Sequence, residues 1–277
     1  MIRIGAVSYL NTRPLVHGLQ QGSVADRIEL SFATPSELAD GMARGALDVA
    51  LLPVIELARI PDLELVPGLA IGTNGVSRSV LLVSNGPLNE IESLALDPES
   101  RTTNVLARVL LSKVSKRHPT TRPGSRSLDD DLGASDAAVR IGDKALFEPL
   151  PEGALAEDLG AMWTRETGLP FVFAAWAARA DVVDRNLCRE LHDSLHEGTE
   201  AIDRIAQDYT WNGSSHPEIV REYLTHGIRF RLGTTEIKAM ELFFRLAHGL
   251  GLIERIPEIR VALQREATAS VAGRDRS

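Results

Sequence analysis

Ile2-Arg3-Ile4-Gly5-Ala6-Val7, followed by Ser8-Tyr9-Leu10-Asn11-Thr12-Arg13-Pro14-Leu15, is the stretch whose reading decides the fold. An apolar run with one Arg feeds a polar cluster, and the cluster feeds a helix-like segment carrying Leu15, Val16 and Leu19. A strand, a tight polar turn and a helix start is where open α/β sheets bind ligands, because the unpaired N–H groups of the first helical turn point outward there. Residues 8 to 14 are thus the first candidate site. Asn11, Ser8 and Thr12 each carry a second reading, since a polar residue before a Pro-containing first turn is also an ordinary helix cap.

Outward from this turn the same grammar repeats. Ile28 to Ala33 alternates as a strand, and Thr34-Pro35-Ser36-Glu37 joins an N-cap, a Pro at the first helical position and a capping-box Glu. Leu38, Met42 and Ala46 stripe that helix, and Val49-Ala50-Leu51-Leu52-Pro53 reads as a strand buried on both faces of a parallel sheet. The opening third is therefore β-α-β-α-β, the pattern of a doubly wound α/β domain.

Residues 61 to 78, rich in Pro and Gly, are expected to be extended segments and turns. A strand over Ser79 to Ser84 opens a second α/β pattern, with strand Leu94 to Leu96, a polar turn over 97–103 and a helix over Val105 to Val114. Ser115 to Asp136, with Asp129-Asp130-Asp131, reads as polar surface, and Ala137 to Ile141 as a buried strand leading into Gly142-Asp143-Lys144. After Phe171 to Ala178, the last strand-like run, the character turns helical. Asp184 caps a helix with Leu187, Leu191, Leu195, Ile202 and Ile205; Ser215-His216-Pro217-Glu218 forms a capping box; and Thr234 starts a helix with Ile237, Met240, Phe244 and Ala247. Residues 266 to 277 are expected to fray. Two α/β units in series followed by helices predict two lobes with a cleft between them, the first lobe from 1–84 and 177–277 and the second from 85–176.

A chain of 277 residues with 44% hydrophobic and 25% charged residues can bury a sizeable core. Its net charge of -8, with no basic stripe, argues against nucleic acid and anionic membrane as partners, while a small anionic ligand needs only a few local donors. Cys188, the single cysteine, has no internal disulfide partner. The start Met1-Ile2-Arg3-Ile4-Gly5 lacks the form of a secretory signal, and apolar runs such as Phe171 to Ala178 are too short to span a bilayer. A cytoplasmic protein without membrane insertion is expected.

Ser100-Arg101-Thr102-Thr103, between a strand and a helix, could cradle a carboxylate or phosphate with its hydroxyls and N–H groups, or simply cap the helix. It lacks the Gly-rich spacing and Lys of a P-loop. Asp143 at another strand end is a ligand contact or a turn residue. His192 and His196 share a helix face at metal-ligand spacing, but charged neighbours make a solvated face the better reading, and no metal site is expected.

Several segments, taken together along nearly the whole chain, resemble one family. They are Ser8-Tyr9-Leu10-Asn11 with Pro14-Leu15, Ala50-Leu51-Leu52-Pro53, Arg78-Ser79-Val80, Leu96-Asp97 with Ser100-Arg101-Thr102-Thr103, Ile141-Gly142-Asp143-Lys144-Ala145, and Asp158-Leu159 with Trp163 and the run from Thr167 to Ala174. In order and spacing these resemble the chorismate dehydratases of the futalosine route to menaquinone. The resemblance implies a two-lobed, type II periplasmic-binding-protein-like fold turned into a cytoplasmic enzyme. It also implies loss of water from chorismate to give 3-[(1-carboxyvinyl)oxy]benzoate, without redox cofactor or metal. The sister enzyme that forms dihydroxynaphthoate shares the fold but opens with a Cys-Pro-Asn-Asp type motif where this chain has Tyr9-Leu10-Asn11. A noncatalytic binding protein or sensor for a small carboxylate shares every fold-level feature.

On that resemblance, Ser100, Thr102 and Thr103 are expected to hold one substrate carboxylate, and Asn11 and Ser79 to face the ring as catalytic residues. Ser8 and Asp143 are further contacts. No His falls in the matched segments, so the base is expected to be an activated Ser, Asp143 or a carboxylate of the bound substrate, the last being favoured.

Overall fold

In the computed structural model, which describes residues 1–20, 26–180 and 182–263, β1 (Ile2–Val7) lies between β2 (Ile28–Ala33) and β3 (Val49–Pro53), parallel to both. Every residue of β3 is buried, as its unbroken apolar run requires. Between β1 and β2 the chain makes a 3-10 turn at Leu10–Thr12 and the short α1 (Arg13–Val16). Helix α2 (Pro35–Ala43) starts where Thr34 and Glu37 form the full capping box, and buries Leu38, Ala39 and Met42.

β4 (Leu63–Thr73) and β10 (Phe171–Arg179) complete the first sheet in the order β2-β1-β3-β10-β4, with β10 antiparallel to both neighbours. Residues 61 to 78, expected to be extended segments and turns, thus hold an eleven-residue strand. β4 is an edge strand, where Pro67 costs no ladder hydrogen bond, and its register against β10 shifts twice.

The second sheet runs β7-β6-β8-β5-β9, formed by β5 (Val80–Ser84), β6 (Ser93–Leu96), β7 (Thr120–Pro123), β8 (Ala137–Ile141) and β9 (Leu155–Asp158). β6 is parallel to β7 and β8, whereas β5 is antiparallel to β8 and β9. The boundaries expected at 84/85 and 176/177 therefore move: β5 pairs wholly in the second sheet and all of β10 in the first, so the chain crosses at 74–79 and 168–170. An apolar run announces a strand but not its partner, which is why the crossings could not be placed from pattern alone.

Helices α3 (Arg101–Ser115), α4 (Leu128–Ala134), α5 (Gly142–Phe147) and α6 (Leu159–Thr167) belong to the second lobe. The polar stretch 115–136 is more structured than expected. Asp129, Asp130 and Asp131 fill the first turn of α4, where the helix dipole favours acids, and Asp131 is buried, accepting from the Ser125 N–H and from Arg122.

The chain then forms α7 (Arg185–Glu200), α8 (Ile202–Asp208), the small hairpin β11 (Thr210–Trp211) and β12 (Ser214–Ser215), α9 (Pro217–Glu222), a π turn at Tyr223–Gly227, and α10 (Thr234–Gly249). Asp184 caps α7 as expected, but no side-chain cap bond forms at α9, whose N-cap is His216. α10 packs on β10 and α3, and Phe243, Phe171 and Trp163 meet edge-on at 5.1 to 6.1 Å between ring centroids. Such pairs add about 0.5–1.5 kcal/mol each beyond their burial, so this cluster ties the two lobes at their base. The expected frayed tail, 266–277, lies outside the described residues.

Candidate functional site

The turn after β1 and the first turn of α3 face each other across the cleft. Between them lies a partly open pocket with about 540 Å³ of free space, whose walls include Tyr9, Asn11, Pro53, Ser79, Ser100, Thr102, Thr103, Gly142 and Phe173. Five of the seven residues proposed from sequence thus converge on one cavity, supplied by both sheets. The other two do not line it. Ser8 is exposed, with its hydroxyl turned to the Ala33 carbonyl at 3.4 Å. Asp143 lies under the turn, described below.

Ser79 sits where β5 begins, just after the crossing. The crossing is pinned by one carboxylate: Asp158 Oδ2 accepts from the Ser77 N–H at 3.0 Å, the Ser77 hydroxyl at 3.1 Å and the Arg78 N–H at 2.6 Å. Its Oδ1 meanwhile accepts from the Ala161 N–H at 2.9 Å and caps α6. Arg78 is held at φ 65°, a left-handed conformation that a non-glycine residue adopts at a cost of about 1–3 kcal/mol. The strain falls on the residue that aims Ser79 into the cavity.

Ser100 is the N-cap of α3, its hydroxyl accepting from the Thr103 N–H at 3.2 Å. Capping and a ligand role are compatible here, because Ser100, Thr102 and Thr103 all line the pocket. Thr102 also bridges the lobes, its Oγ1 accepting from the Ile55 N–H at 3.2 Å. Among the described residues no Lys or Arg lines the pocket, so the anion-attracting groups there are hydroxyls and the positive end of α3.

Asn11 caps no helix. The residue before the 3-10 turn is Tyr9, the one before α1 is Thr12, and neither makes a side-chain cap bond. Asn11 Nδ2 donates instead to the Tyr223 hydroxyl at 3.2 Å, and Tyr223 Oη donates to Ser79 Oγ at 2.8 Å. Tyr223 was not foreseen. It lies 212 residues from Asn11 and 144 from Ser79, with no local signal to mark it. It is fully buried, and that burial pushes its phenol well above the usual range, holding it neutral.

Asp143, in the first turn of α5, is 5% exposed and accepts from the Leu10 N–H at 3.1 Å and from the Tyr209 hydroxyl at 2.6 Å. Burial raises its carboxyl above the usual range, opposed by those two hydrogen bonds. It thereby ties the Leu10-Asn11 turn of the first lobe to the second. Tyr9 makes a parallel tie, donating to Glu99 Oε2 at 2.6 Å, and Glu99 pairs with Lys144 at 3.3 Å. Gly142, at φ 66°, leaves room for the Tyr9 ring, which an added Cβ would meet at 3.2 Å.

His192 is spent on the Pro67 carbonyl at 2.8 Å, and His196 is exposed beside Glu200. No cluster of three or more potential metal ligands occurs among the described residues, and no helix there is long and apolar enough to cross a membrane.

A family model described as menaquinone biosynthesis matches residues 2–249. The chain belongs to the menaquinone-biosynthesis family. Among its curated relatives, the chorismate dehydratase of Thermus thermophilus is 28% identical, covering 90% of this chain and 95% of its own length. That of Campylobacter jejuni is 30% identical, covering 90% and 98%. Solved structures place this member of the family in the periplasmic-binding-protein fold. A protein of Archaeoglobus fulgidus superposes with a TM-score of 0.70 at 14% identity, over 91% of this chain and 98% of that one. The alkanesulfonate-binding protein of Xanthomonas axonopodis pv. citri gives 0.65 at 17% identity, over 92% and 95%. In this chain both sheets are mixed, with β10 antiparallel to its neighbours in the first and β5 antiparallel to its neighbours in the second. In this family member the cavity described above lies between the two sheets, lined from both.

Proposed function

We propose that the protein is a cytoplasmic chorismate dehydratase, a carbon–oxygen lyase that eliminates water from chorismate to give 3-[(1-carboxyvinyl)oxy]benzoate. The observation that carries this reading is the convergence of Asn11, Ser79, Ser100, Thr102 and Thr103, drawn from separate motif segments, on one cleft pocket. The coverage and identity of the dehydratase relatives support it.

The chemistry removes the ring proton beside the ether oxygen and expels the neighbouring hydroxyl as water, and aromatisation drives it. The hydroxyls of Ser100, Thr102 and Thr103 and the N-terminal end of α3 bind a substrate carboxylate. Asn11, facing the ring, hydrogen-bonds the charge that develops as the proton leaves. Ser79 contacts the ring from the start of β5. Both Asp143 oxygens are committed to Leu10 and Tyr209, so its role is to hold the Asn11 turn, and the ring proton goes to a carboxylate of the substrate itself, which passes it on to the departing hydroxyl so that water leaves.

Purified protein incubated with chorismate tests the reading by chromatography and mass spectrometry. The expected result is a product lighter by one water, with the aromatic absorption of a benzoate. Tight chorismate binding without that product would sink the enzyme reading in favour of a binding protein or sensor. No binding at all would point to the sister reaction.

A further inference from the structure

Tyr223 opens the π turn Tyr223–Gly227, in which the Ile228 N–H reaches back to the Tyr223 carbonyl at 3.1 Å. Single π turns of this kind occur often at functional sites, where they re-aim one side chain. Here the turn docks on the crossing: a Cβ on Gly227 would lie 3.1 Å from the Ser77 carbonyl, so only glycine permits that approach without displacement. The result is a phenol delivered beneath the pocket floor, 1% exposed, touching one residue from each wall of the cleft.

We propose that Tyr223 is the positioning residue of the site, accepting from Asn11 Nδ2 and donating to Ser79 Oγ so that the Ser79 proton is turned into the cleft toward the departing hydroxyl of the substrate. The inference rests on the dehydratase reading and assigns direction within it. An Oγ that already accepts a hydrogen bond from a neutral phenol is a poor base and a stronger donor, because successive donors in a chain polarise one another. Ser79 therefore acts as a hydrogen-bond donor that stabilises the leaving oxygen and keeps its own proton. Asn11, which spends an N–H on Tyr223 and whose Oδ1 accepts from the Thr12 hydroxyl at 3.4 Å, is held with its amide in one fixed orientation toward the substrate.

The test is a double-mutant cycle on chorismate turnover with Tyr223→Phe, Ser79→Ala and the pair, alongside the wild type. Tyr223→Phe keeps the ring and deletes only the hydroxyl. It is expected to lower kcat by roughly 10- to 100-fold with KM within about threefold, as for loss of one oriented donor. In the Ser79→Ala background the same change is expected to cost less than about threefold, because its effect passes through Ser79. An unchanged kcat in Tyr223→Phe overturns the proposal, and so does a full multiplicative loss in the pair, which is what a merely structural tyrosine would give. If the Phe variant does not fold by circular dichroism, Ser79→Cys replaces it, since a thiol accepts hydrogen bonds weakly. A kcat equal to wild type there overturns the chain of donors, and a selective fall in kcat supports it. Absence of product with the wild type would instead count against the dehydratase reading, which keeps the two failures apart.

Discussion

Replacing Asp143 with Asn separates a tether from a base. In the native protein one carboxylate holds the Leu10 N–H at 3.1 Å and the Tyr209 hydroxyl at 2.6 Å, both charge-assisted. Charge-assisted bonds contribute about 1.5–3 kcal/mol and neutral ones about 0.5–1.5 kcal/mol. Converting both removes about 2–3 kcal/mol. Burying an amide in place of a carboxylate whose pKa is already raised by burial returns on the order of 1 kcal/mol. The net loss is about 1–2 kcal/mol, or a fall in Tm of roughly 3–6 °C, readable by differential scanning fluorimetry. A looser Leu10-Asn11 turn is expected to lower kcat by about tenfold at most, since the change is one of positioning.

The same variant has a pH signature with a definite sign. Burial raises the folded-state pKa of Asp143 above its ordinary value of 3.8, so the folded protein binds this proton more readily than the unfolded chain. That contribution is complete below the unfolded value and is lost as pH rises through the folded one. The stability margin of wild type over Asp143→Asn should therefore narrow as pH rises from 3.8. A kcat loss beyond about a thousandfold, with chorismate binding and Tm unchanged, would refute the tether, because that is the size of effect a missing general base produces.

Ser100→Ala removes the N-cap of α3 and a pocket hydroxyl together. It should cost about 1 kcal/mol in urea denaturation and raise KM more than it lowers kcat. Gly198→Ala would place a Cβ 2.0 Å from the Pro14 carbonyl, on the helix that packs against α1, and the clash is with backbone. A loss of about 3 kcal/mol or an insoluble product is expected, with unaltered Tm as the contrary result.

How far this could be read in the sequence varied with the range of the interaction. The β-α-β-α-β opening was legible because each element carries its own signal: the Thr34–Glu37 box, the unbroken β3 run and the polar turn after β1 are local patterns. Lobe boundaries were less so, since β5 and β10 look alike as apolar runs and only long-range pairing assigns them to sheets. β4 was hidden by Pro67 and Gly68, which an edge strand tolerates. Around the pocket, strand-end position and motif resemblance singled out Asn11, Ser79 and the α3 turn, which the fold brings to one cavity. Tyr223 was invisible because its meaning comes from a contact across 144 residues and from a π turn that no periodicity announces.

The choice of base yields a last prediction, worked from what surrounds the pocket. None of the chain's seven histidines lines it, and His192 and His216 are engaged elsewhere, with the Pro67 carbonyl and the Phe147 ring. An Arg beside a bound carboxylate would depress its pKa by about 1–3 units and weaken it as a base, whereas hydroxyl donors perturb it less. A pocket lined by Ser and Thr, with no Lys or Arg among the described residues, therefore suits a substrate carboxylate that must itself take a proton. On this reading kcat should be flat from about pH 6 to 8 and fall only toward the range of an ordinary carboxyl, about 3.3–3.7. Asp143 is a second group able to impose an acid limb, because its raised pKa would let it protonate earlier and release the Leu10 N–H. Measuring the profile in Asp143→Asn assigns the limb: one that persists belongs to the substrate, and one that vanishes belongs to the tether. A limb near pH 6.5 in both proteins would mean that a histidine reaches the ring, and substrate assistance would be the wrong account.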